Sequence, residues 1–344
     1  MKSLFTLLLA CIVLAGQNIY CQSAVIDKAK FFADDTTIQV TMEALWSKLI
    51  NQRHKEGRVF PARFKCELPG GTTVNEPVTL EVRGHFRRDY CYLPPLKLGF
   101  KKTSGSFMYP LKSLKLVNVC KPASAFEQYL LKEMLVYKIY NLLTEKSFRV
   151  RLLSIDFKDS SGKKGLGIQP AFLMEDLKDL AKRNNCREWT GGKVVTEASE
   201  RKHMTMVALF EFMIGNTDWS VTGQHNIKLI QSISDSASRP YAIPYDFDYS
   251  GLVNTNYSIP DPLLEKENVR QRVYRGYPRT MEELNKVLDV FKQQKENIYT
   301  LINHFDALSQ GNKKNMISYL EEFYDLIKKP GNIKHYFIDE ARTD

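Results

Sequence analysis

Hydrophobic and polar residues alternate along much of the first half of the chain, which is the pattern of half-buried strands. This alternation, together with strand-forming residues, predicts strands over residues 37–41, 60–67, 78–86, 96–100 and 113–119. A helix is predicted over residues 43–52, and the Pro-Gly-Gly sequence of residues 69–71 predicts a hairpin turn. The first third of the chain is therefore predicted to form a sheet with short connections.

From residue 125 onward, apolar residues recur mainly at the spacing of helices. A predicted helix over residues 125–143 precedes a predicted hairpin, and helices follow it. The hairpin covers residues 149–157 and 166–174, and the later helices cover residues 175–183, 204–214, 281–305 and 315–327. Strands followed by helices are typical of the α+β class. We predict a sheet-rich N-terminal lobe of residues 23–175 and a helical C-terminal lobe of residues 176–344.

Residues 1–22 have the pattern of a secretory signal peptide. Lys2 precedes a short apolar run, and neither this run nor any later one reaches the roughly 20 apolar residues that a membrane-spanning helix needs. We therefore predict an exported protein without a transmembrane segment, located in the periplasm, on the cell surface or outside the cell. Lipid anchoring through Cys11, which ends a Leu-Leu-Ala-Cys sequence, is the alternative.

The composition of the 344 residues is that of a globular protein, with 43% hydrophobic and 26% charged residues, so neither disorder nor a membrane bundle is indicated. The formal charge of +10 is spread along the chain rather than collected in one tail. It predicts a solvated surface, or a basic cleft for a polyphosphate, and no nucleic acid partner.

Four cysteines follow the predicted signal peptide: Cys66, Cys91, Cys120 and Cys186. Four cysteines allow three pairings, and disulfides persist in the environment that an exported chain meets. We predict a bond between Cys91 and Cys120. No CxxC pair or Cys/His cluster supports a zinc site.

A polar segment begins where the predicted helix 204–214 ends. It reads Gly-Asn-Thr-Asp over residues 215–218, and glycine and asparagine are typical of the end of a helix. Asp218 is therefore predicted to lie on the loop just beyond the helix. Asn226 follows eight residues later.

A second apolar run, residues 241–244, leads to Asp246 and Asp248. Transfer of a phosphoryl group needs a carboxylate that orients the attacking hydroxyl, and carboxylate and amide oxygens that hold Mg²⁺. Asp218, Asn226 and Asp246 supply that set, in the order found in protein kinases. Asp and Asn are also common turn residues, so each segment alone could be a turn. Their order, each behind an apolar run, favours the catalytic interpretation.

These segments and much of the first half of the chain resemble the CotH-type atypical kinases and, more remotely, the HipA-type kinases. The resemblance covers roughly residues 60–250, and it also depends on Arg83-Gly84 after a strand and on the lysine-containing segment 94–100. It implies a bilobal protein-kinase-like fold. It also implies transfer of a phosphoryl group from ATP, with Mg²⁺ or Mn²⁺, to a hydroxyl of a protein or a small molecule.

The resemblance implies a role for each matching residue. Asp218 matches the catalytic aspartate, and Asn226 and Asp246 match the metal ligands. Asp248 would add a second carboxylate to the metal site. The segment that ends at Glu175 matches the hinge that contacts adenine.

The lysine that anchors the phosphates has two candidates. Lys97 lies on the segment that matches the lysine strand of the family, whereas Lys115 precedes Glu133 by 18 residues, a separation similar to that in protein kinases. Glu133 lies among the apolar residues of its helix and is a better partner for a lysine than Glu127, whose place in the first turn suits the helix dipole. Arg83 is a further nucleotide-binding candidate.

The chain departs from kinases in two respects. It has no GxGxxG sequence, so the arginine-rich segment 83–88 would have to cover the phosphates. The separation of Asp218 from Asn226 is longer than in HipA-type or ordinary protein kinases. The intervening His225 is interpreted as a structural histidine, with a neighbour of the metal ligands as the alternative.

Two other functions are alternatives to a kinase. One is a non-catalytic kinase-like module that binds a nucleotide or a protein at the cell surface, against which the retained Asp218 argues. The other is a metal-dependent hydrolase built on Asp246 and Asp248, which no histidine cluster in the sequence supports.

Overall fold

The computed structural model describes residues 25–55, 57–103, 105–163 and 165–343. The predicted signal peptide and Cys11 lie outside the described residues. The structure is a mixed α+β fold, so the predicted class is confirmed. The bilobal kinase-like arrangement and its boundary at residue 175 stay predictions.

Seven strands form a closed barrel in the order β1-β2-β3-β4-β5-β7-β6. Neighbouring strands are antiparallel except for β1 and β6, whose parallel pairing closes the barrel. Buried residues alternate with exposed ones along β1, β2 and β4, as expected when one face of a strand packs inside. The strands are β1 Ile38–Ala44, β2 Val59–Glu67, β3 Thr73–Val82, β4 Leu96–Phe100, β5 Ser113–Asn118, β6 Val150–Asp159 and β7 Gly167–Met174.

Helices make up most of the remaining structure, together with a three-stranded sheet in the order β10-β9-β8. The helices are α1 Lys28–Ala33, α2 Trp46–Asn51, α3 Phe86–Tyr90, α4 Ser124–Leu143, α5 Leu177–Arg183, α6 Arg201–Ile214, α7 Met281–Asn303, α8 Gln310–Ile327 and α9 Pro330–Lys334. The strands of the small sheet are β8 Cys186–Glu188, β9 Ile227–Ser232 and β10 Tyr241–Pro244. None of the helices in the described ranges has both the length and the apolarity needed to cross a membrane.

Two predicted elements run into a neighbouring element of the other type. The helix predicted over residues 43–52 was wrong at its start, because β1 continues through Ala44. The Glu43 carboxylate, on this strand, pairs with Lys65 of β2 at 2.7 Å. The strand predicted over residues 78–86 starts earlier and ends at Val82. It ends there because Gly84 adopts a left-handed conformation, with a φ of 81°, and the following residues form α3.

The hydrophobic residues form two cores, one inside the barrel and one among the helices. Helix α4 belongs to the helical core although it precedes the last two barrel strands in the chain. Tyr140 of α4 stacks on Phe210 of α6, with ring centroids 4.2 Å apart. The predicted disulfide is confirmed, since Cys91 at the end of α3 is bonded to Cys120, just beyond β5.

Candidate functional site

Helix α6 places Asp218 at its C-terminal end. The helix ends at Gly215, which has a left-handed φ of 69°. A Cβ atom at this position would lie 2.0 Å from the Tyr319 hydroxyl, so the close approach also requires glycine. The side-chain oxygen of Asn216 then accepts a hydrogen bond from the Asp218 N–H at 3.0 Å. The loop that carries Asp218 is therefore fixed by the left-handed turn at Gly215 and by the Asn216 side chain.

Asn226 contacts Asp218 directly. Its Nδ2 donates to Asp218 Oδ2 at 3.0 Å and to the Asp218 main-chain oxygen at 2.8 Å. Asn226 immediately precedes β9, and its own main-chain oxygen accepts the N–H of Tyr245 at 3.0 Å. The antiparallel pairing of β9 and β10 therefore brings residue 246 beside the Asp218 loop.

Asp246 lies at the end of β10 in a left-handed backbone conformation, with a φ of 67°. Its N–H donates to the Tyr137 hydroxyl of α4 at 2.8 Å, which fixes this conformation. Among the described residues, no hydrogen bond or ion pair engages the Asp246 carboxylate. The structure therefore brings Asp218, Asn226 and Asp246 together and leaves one carboxylate open to a ligand.

A cavity of about 330 Å³ lies between the barrel and the helical core. Both candidate lysines line it, because Lys97 of β4 and Lys115 of β5 are register partners. Lys115 lies deeper, with its Nζ 4.1 Å from the centre of the Tyr245 ring. Burial and the neighbouring Arg83 lower the pKa of Lys115 to about 8, although Asp246 opposes this shift. Lys115 therefore faces the Asp246 side of the cavity, whereas Lys97 is exposed.

Glu175 also lines the cavity, at the end of β7, but its carboxylate is engaged. Its two oxygens accept from the Arg183 Nε at 2.9 Å and from the Arg149 N–H at 3.1 Å. Its own N–H donates to the Arg149 main-chain oxygen at 2.9 Å. The Glu175 side chain thus stabilises the wall of the cavity, and a contact of this segment with adenine stays a prediction.

Arg83 and Glu133 are not among the residues that line this cavity. The Arg83 Nε donates to the Leu96 main-chain oxygen at 3.2 Å. Burial lowers the pKa of Arg83, while the nearby Asp246 carboxylate opposes this shift. Glu133 is buried on α4, and its charged neighbour is Arg87, at 4.0 Å, rather than Lys115. The expected lysine–glutamate pair is not formed by these residues.

Asp248 faces the protein interior, unlike Asp246. Its side chain is 8% exposed, and its Oδ2 accepts from the Tyr257 hydroxyl at 3.0 Å and lies 3.7 Å from Arg87. Burial and the Asp246 charge raise the pKa of Asp248 to about 7. The sequence pattern could not show that these two carboxylates point to different surroundings.

The residues that could hold a divalent cation are few. No three His, Cys, Asp or Glu side chains in the described ranges are grouped closely enough to form a metal site by themselves. The open Asp246 carboxylate and the Asn226 side chain supply the hard oxygen ligands that Mg²⁺ takes. They fit a cation whose other ligands come from phosphate and water.

The chain has a distant structural similarity to a solved kinase. No family model matches the chain, and no curated protein matches it. Among solved structures it is similar to the crystal structure of a Helicobacter pylori proinflammatory kinase, CtkA, at 11% sequence identity and a TM-score of 0.41. The match covers 71% of this chain and 90% of that chain.

His225 belongs to the site, although its sequence interpretation was structural. Its Nε2 lies 2.8 Å from Asp218 Oδ1, and its side chain is 59% exposed. Main-chain hydrogen bonds in both directions between Ser220 and His225 fix the loop. His225 and Asn226 thus each contact one of the two carboxylate oxygens of Asp218. Its position next to Asn226 in the sequence was the signal that could have indicated this contact.

Glu211 of α6 lies in the core just before the Asp218 loop, and burial raises the pKa of its carboxyl from 4.5 to about 8. The folded state therefore favours the protonated form. The resulting stabilisation is complete below pH 4.5 and is lost as the pH rises through about 8. Between pH 5 and 6.5, we expect the wild type to lose about 2 kcal/mol of unfolding free energy relative to Glu211→Gln.

Urea unfolding of both proteins at the two pH values measures this difference. Glu296→Gln, at an exposed position on α7, is the matched control and is expected to retain the pH dependence of the wild type. Parallel pH profiles for the wild type and Glu211→Gln would show that Glu211 is ionised in the folded protein.

Proposed function

We propose that the protein is an exported atypical kinase that transfers a phosphoryl group from ATP to a hydroxyl of a protein or small molecule, with Mg²⁺ or Mn²⁺. The observation that carries the proposal is the convergence of Asp218, Asn226 and Asp246 beside the cavity that Lys115 lines. A bilobal kinase-like arrangement of the barrel and the helical core is part of the same proposal. Export depends on the predicted signal peptide.

Each residue has a role that its surroundings support. Asp218, at the rim of the site, orients the acceptor hydroxyl and accepts its proton. Asn226 and Asp246 hold the cation, which neutralises charge on the phosphates when bound. Lys115, which lines the cavity, and Arg83, which lies near Lys115 and Asp246, add positive charge, and their burial strengthens the attraction for phosphate oxygens.

ATP binding tests the proposal and distinguishes the two lysines. Lys115→Met is expected to weaken ATP binding in the presence of Mg²⁺ by about 10- to 100-fold, because a charge-assisted hydrogen bond contributes about 1.5–3 kcal/mol. Lys97→Met, the matched control on the neighbouring strand, is expected to change the affinity by less than about threefold, because exposed charges contribute little. Isothermal titration calorimetry measures both dissociation constants.

Two outcomes would contradict these assignments. If Lys97→Met weakened ATP binding more than Lys115→Met does, the lysine that contacts the phosphates would be Lys97 of β4. Absence of ATP binding by the wild-type protein, with both Mg²⁺ and Mn²⁺ tested, would contradict the proposed kinase function.

A non-catalytic nucleotide-binding module is the second candidate, and one observation favours it. Both carboxylate oxygens of Asp218 already have hydrogen-bond partners, His225 and Asn226. ATP binding without transfer of the γ-phosphate to protein or water would support this alternative. The hydrolase hypothesis has no such support. It needs Asp246 and Asp248 to act together, but the Asp248 carboxylate faces Arg87 and not the open carboxylate of Asp246.

A further inference from the structure

A larger cavity, of about 650 Å³, lies among α6, α8 and α9, and it shares no lining residue with the cavity of the candidate site. Four of its lining side chains can carry a positive charge, and they come from the segment before α7 and from the two ends of α9. They are Arg270, Arg272, Lys329 and His335. Cavities of this size are typical of small-molecule sites.

The larger cavity has more positive than negative charge. Among the residues that the structure describes, two acidic side chains line it, and each has a cationic partner. Glu322 pairs with Arg272 at 2.8 Å, and Asp325 pairs at 2.6 Å with a neighbouring lysine that does not line the cavity. Arg270 and Lys329 form no ion pair with an acidic side chain in the described ranges. The larger cavity therefore favours an anion.

Two of the cations are held against one aromatic ring. The guanidinium carbons of Arg272 and Arg270 lie 3.7 and 4.4 Å from the centre of the Tyr319 ring. The Arg270 Nη1 also donates to Asn315 Oδ1 at 3.1 Å, and the Arg272 Nε donates to the Met213 main-chain oxygen at 3.2 Å. Guanidinium groups this close repel each other, and an anion that contacts both removes the repulsion. Fixed guanidinium groups are well suited to phosphate oxygens.

Apolar and aromatic side chains lie beside these cations. Phe212 of α6 is buried at the lining, and the Tyr336 ring packs on it with ring centroids 5.8 Å apart. Leu326 and Tyr336 are only half-buried. A ring that packs on these two side chains would remove apolar surface from water. The larger cavity thus suits a molecule with both an anionic group and a ring.

The wall of the larger cavity is also continuous with the loop that carries Asp218. The Tyr319 hydroxyl donates to the Arg270 main-chain oxygen at 2.8 Å. The same hydroxyl lies against two glycines, since a Cβ atom would meet it at 2.0 Å from Gly215 and at 2.5 Å from Gly251. The Asp218 loop starts at Gly215. A ligand that shifts Arg270 and the Tyr319 ring would therefore act on the start of this loop.

We propose that the larger cavity binds a small phosphate-bearing molecule with an aromatic ring, and that its binding is transmitted to the Asp218 loop. Arg270, Arg272 and Lys329 supply the positive charge that holds the phosphate. Tyr336 and Leu326 supply the surface on which the ring packs. The inference goes beyond the proposed kinase function and does not depend on it.

Isothermal titration calorimetry with phenyl phosphate, without ATP or divalent cations, tests the site. The wild type is expected to bind one molecule per chain, and Lys329→Gln is expected to weaken binding by about tenfold. Lys314→Gln, at an exposed position on α8 that does not line the cavity, is the matched control. This control and Lys115→Met, which alters the candidate nucleotide site, are each expected to stay within about threefold of the wild type.

Three results would overturn the site. The first is absence of phenyl phosphate binding by the wild type, and the second is an equal effect of Lys329→Gln and Lys314→Gln. The third is loss of binding in Lys115→Met alone, which would place the molecule in the nucleotide site. Inorganic phosphate is expected to bind about tenfold more weakly than phenyl phosphate. Equal affinities would contradict the contact assigned to the ring.

Trp219 reports on the Asp218 loop, because it follows Asp218 directly and its side chain is buried. Phenyl phosphate is expected to change the tryptophan fluorescence of the wild type, with the dissociation constant found by calorimetry, and to leave that of Trp219→Phe unchanged. Unchanged fluorescence of the wild type at saturation would overturn the transmission to this loop. None of these samples contains ATP, so their failure leaves the proposed kinase function in place, and failure of ATP binding leaves the larger cavity in place.

Discussion

Asp218→Asn is expected to lower the rate of phosphoryl transfer by about 10²- to 10⁴-fold, which is the contribution of a general base. The amide keeps the shape of the side chain and can still contact His225 or Asn226, but it cannot accept the proton of the acceptor hydroxyl. Because the role proposed for Asp218 is toward the acceptor hydroxyl and not toward the nucleotide, ATP affinity is expected to stay within about threefold of the wild type. Transfer of labelled γ-phosphate and calorimetric ATP binding measure the two quantities.

A matched control separates loss of the base from loss of one charge. Asp306→Asn, at an exposed position between α7 and α8, removes the same charge outside the candidate site and is expected to retain full activity. An Asp218→Asn protein with wild-type transfer rates would exclude Asp218 as the base. A variant that loses ATP affinity as strongly as it loses rate would instead indicate that Asp218 holds the nucleotide or its cation.

Loss of the Cys91–Cys120 disulfide is expected to lower the free energy of unfolding by about 3–4 kcal/mol. The two cysteines are separated by 29 residues, and a loop of that length confers this order of stabilisation by restricting the unfolded chain. The measurement is guanidinium unfolding of the wild type, with and without reductant, beside the double variant Cys91→Ala/Cys120→Ala.

The double variant is also the control for the reductant. Its unfolding midpoint is expected to be the same with and without reductant and to match that of the reduced wild type. Cys66 and Cys186 are buried free thiols present in every sample, so they cancel in the comparison. Equal midpoints for the oxidised and reduced wild type would show that the crosslink adds no stability.

Elements with strong local signals were predicted well. The strand over residues 96–100 and the start of the long helix at Met281 agree with the structure, because alternation and helical spacing are properties of neighbouring residues. The short elements α1, β8 and α3 were missed, since each has too few residues to show a period. Closure of the barrel was not predictable from such patterns, because the parallel pairing of β1 and β6 joins distant parts of the chain.

The site likewise combines features that a local sequence pattern predicts with features that depend on distant residues. The convergence of Asp218, Asn226 and Asp246 followed from their order behind apolar runs, and the structure brings them together. The surroundings of Asp248 did not follow, because its partner Arg87 lies far away in the sequence. A local pattern indicates which residues are candidates for the chemistry, whereas the charges that face them are set by tertiary packing.

The closure of the barrel by β1 and β6 also determines when the barrel can form during synthesis. Strand β6 is synthesised only after α4. Until then, the first five strands can form only an open sheet, with β1 and β5 at its edges. Contacts between distant segments form slowly, and unpaired edges favour association with other chains. A fragment intended to fold as the barrel must therefore extend through Met174, whereas one that stops at Asn118 is expected to aggregate.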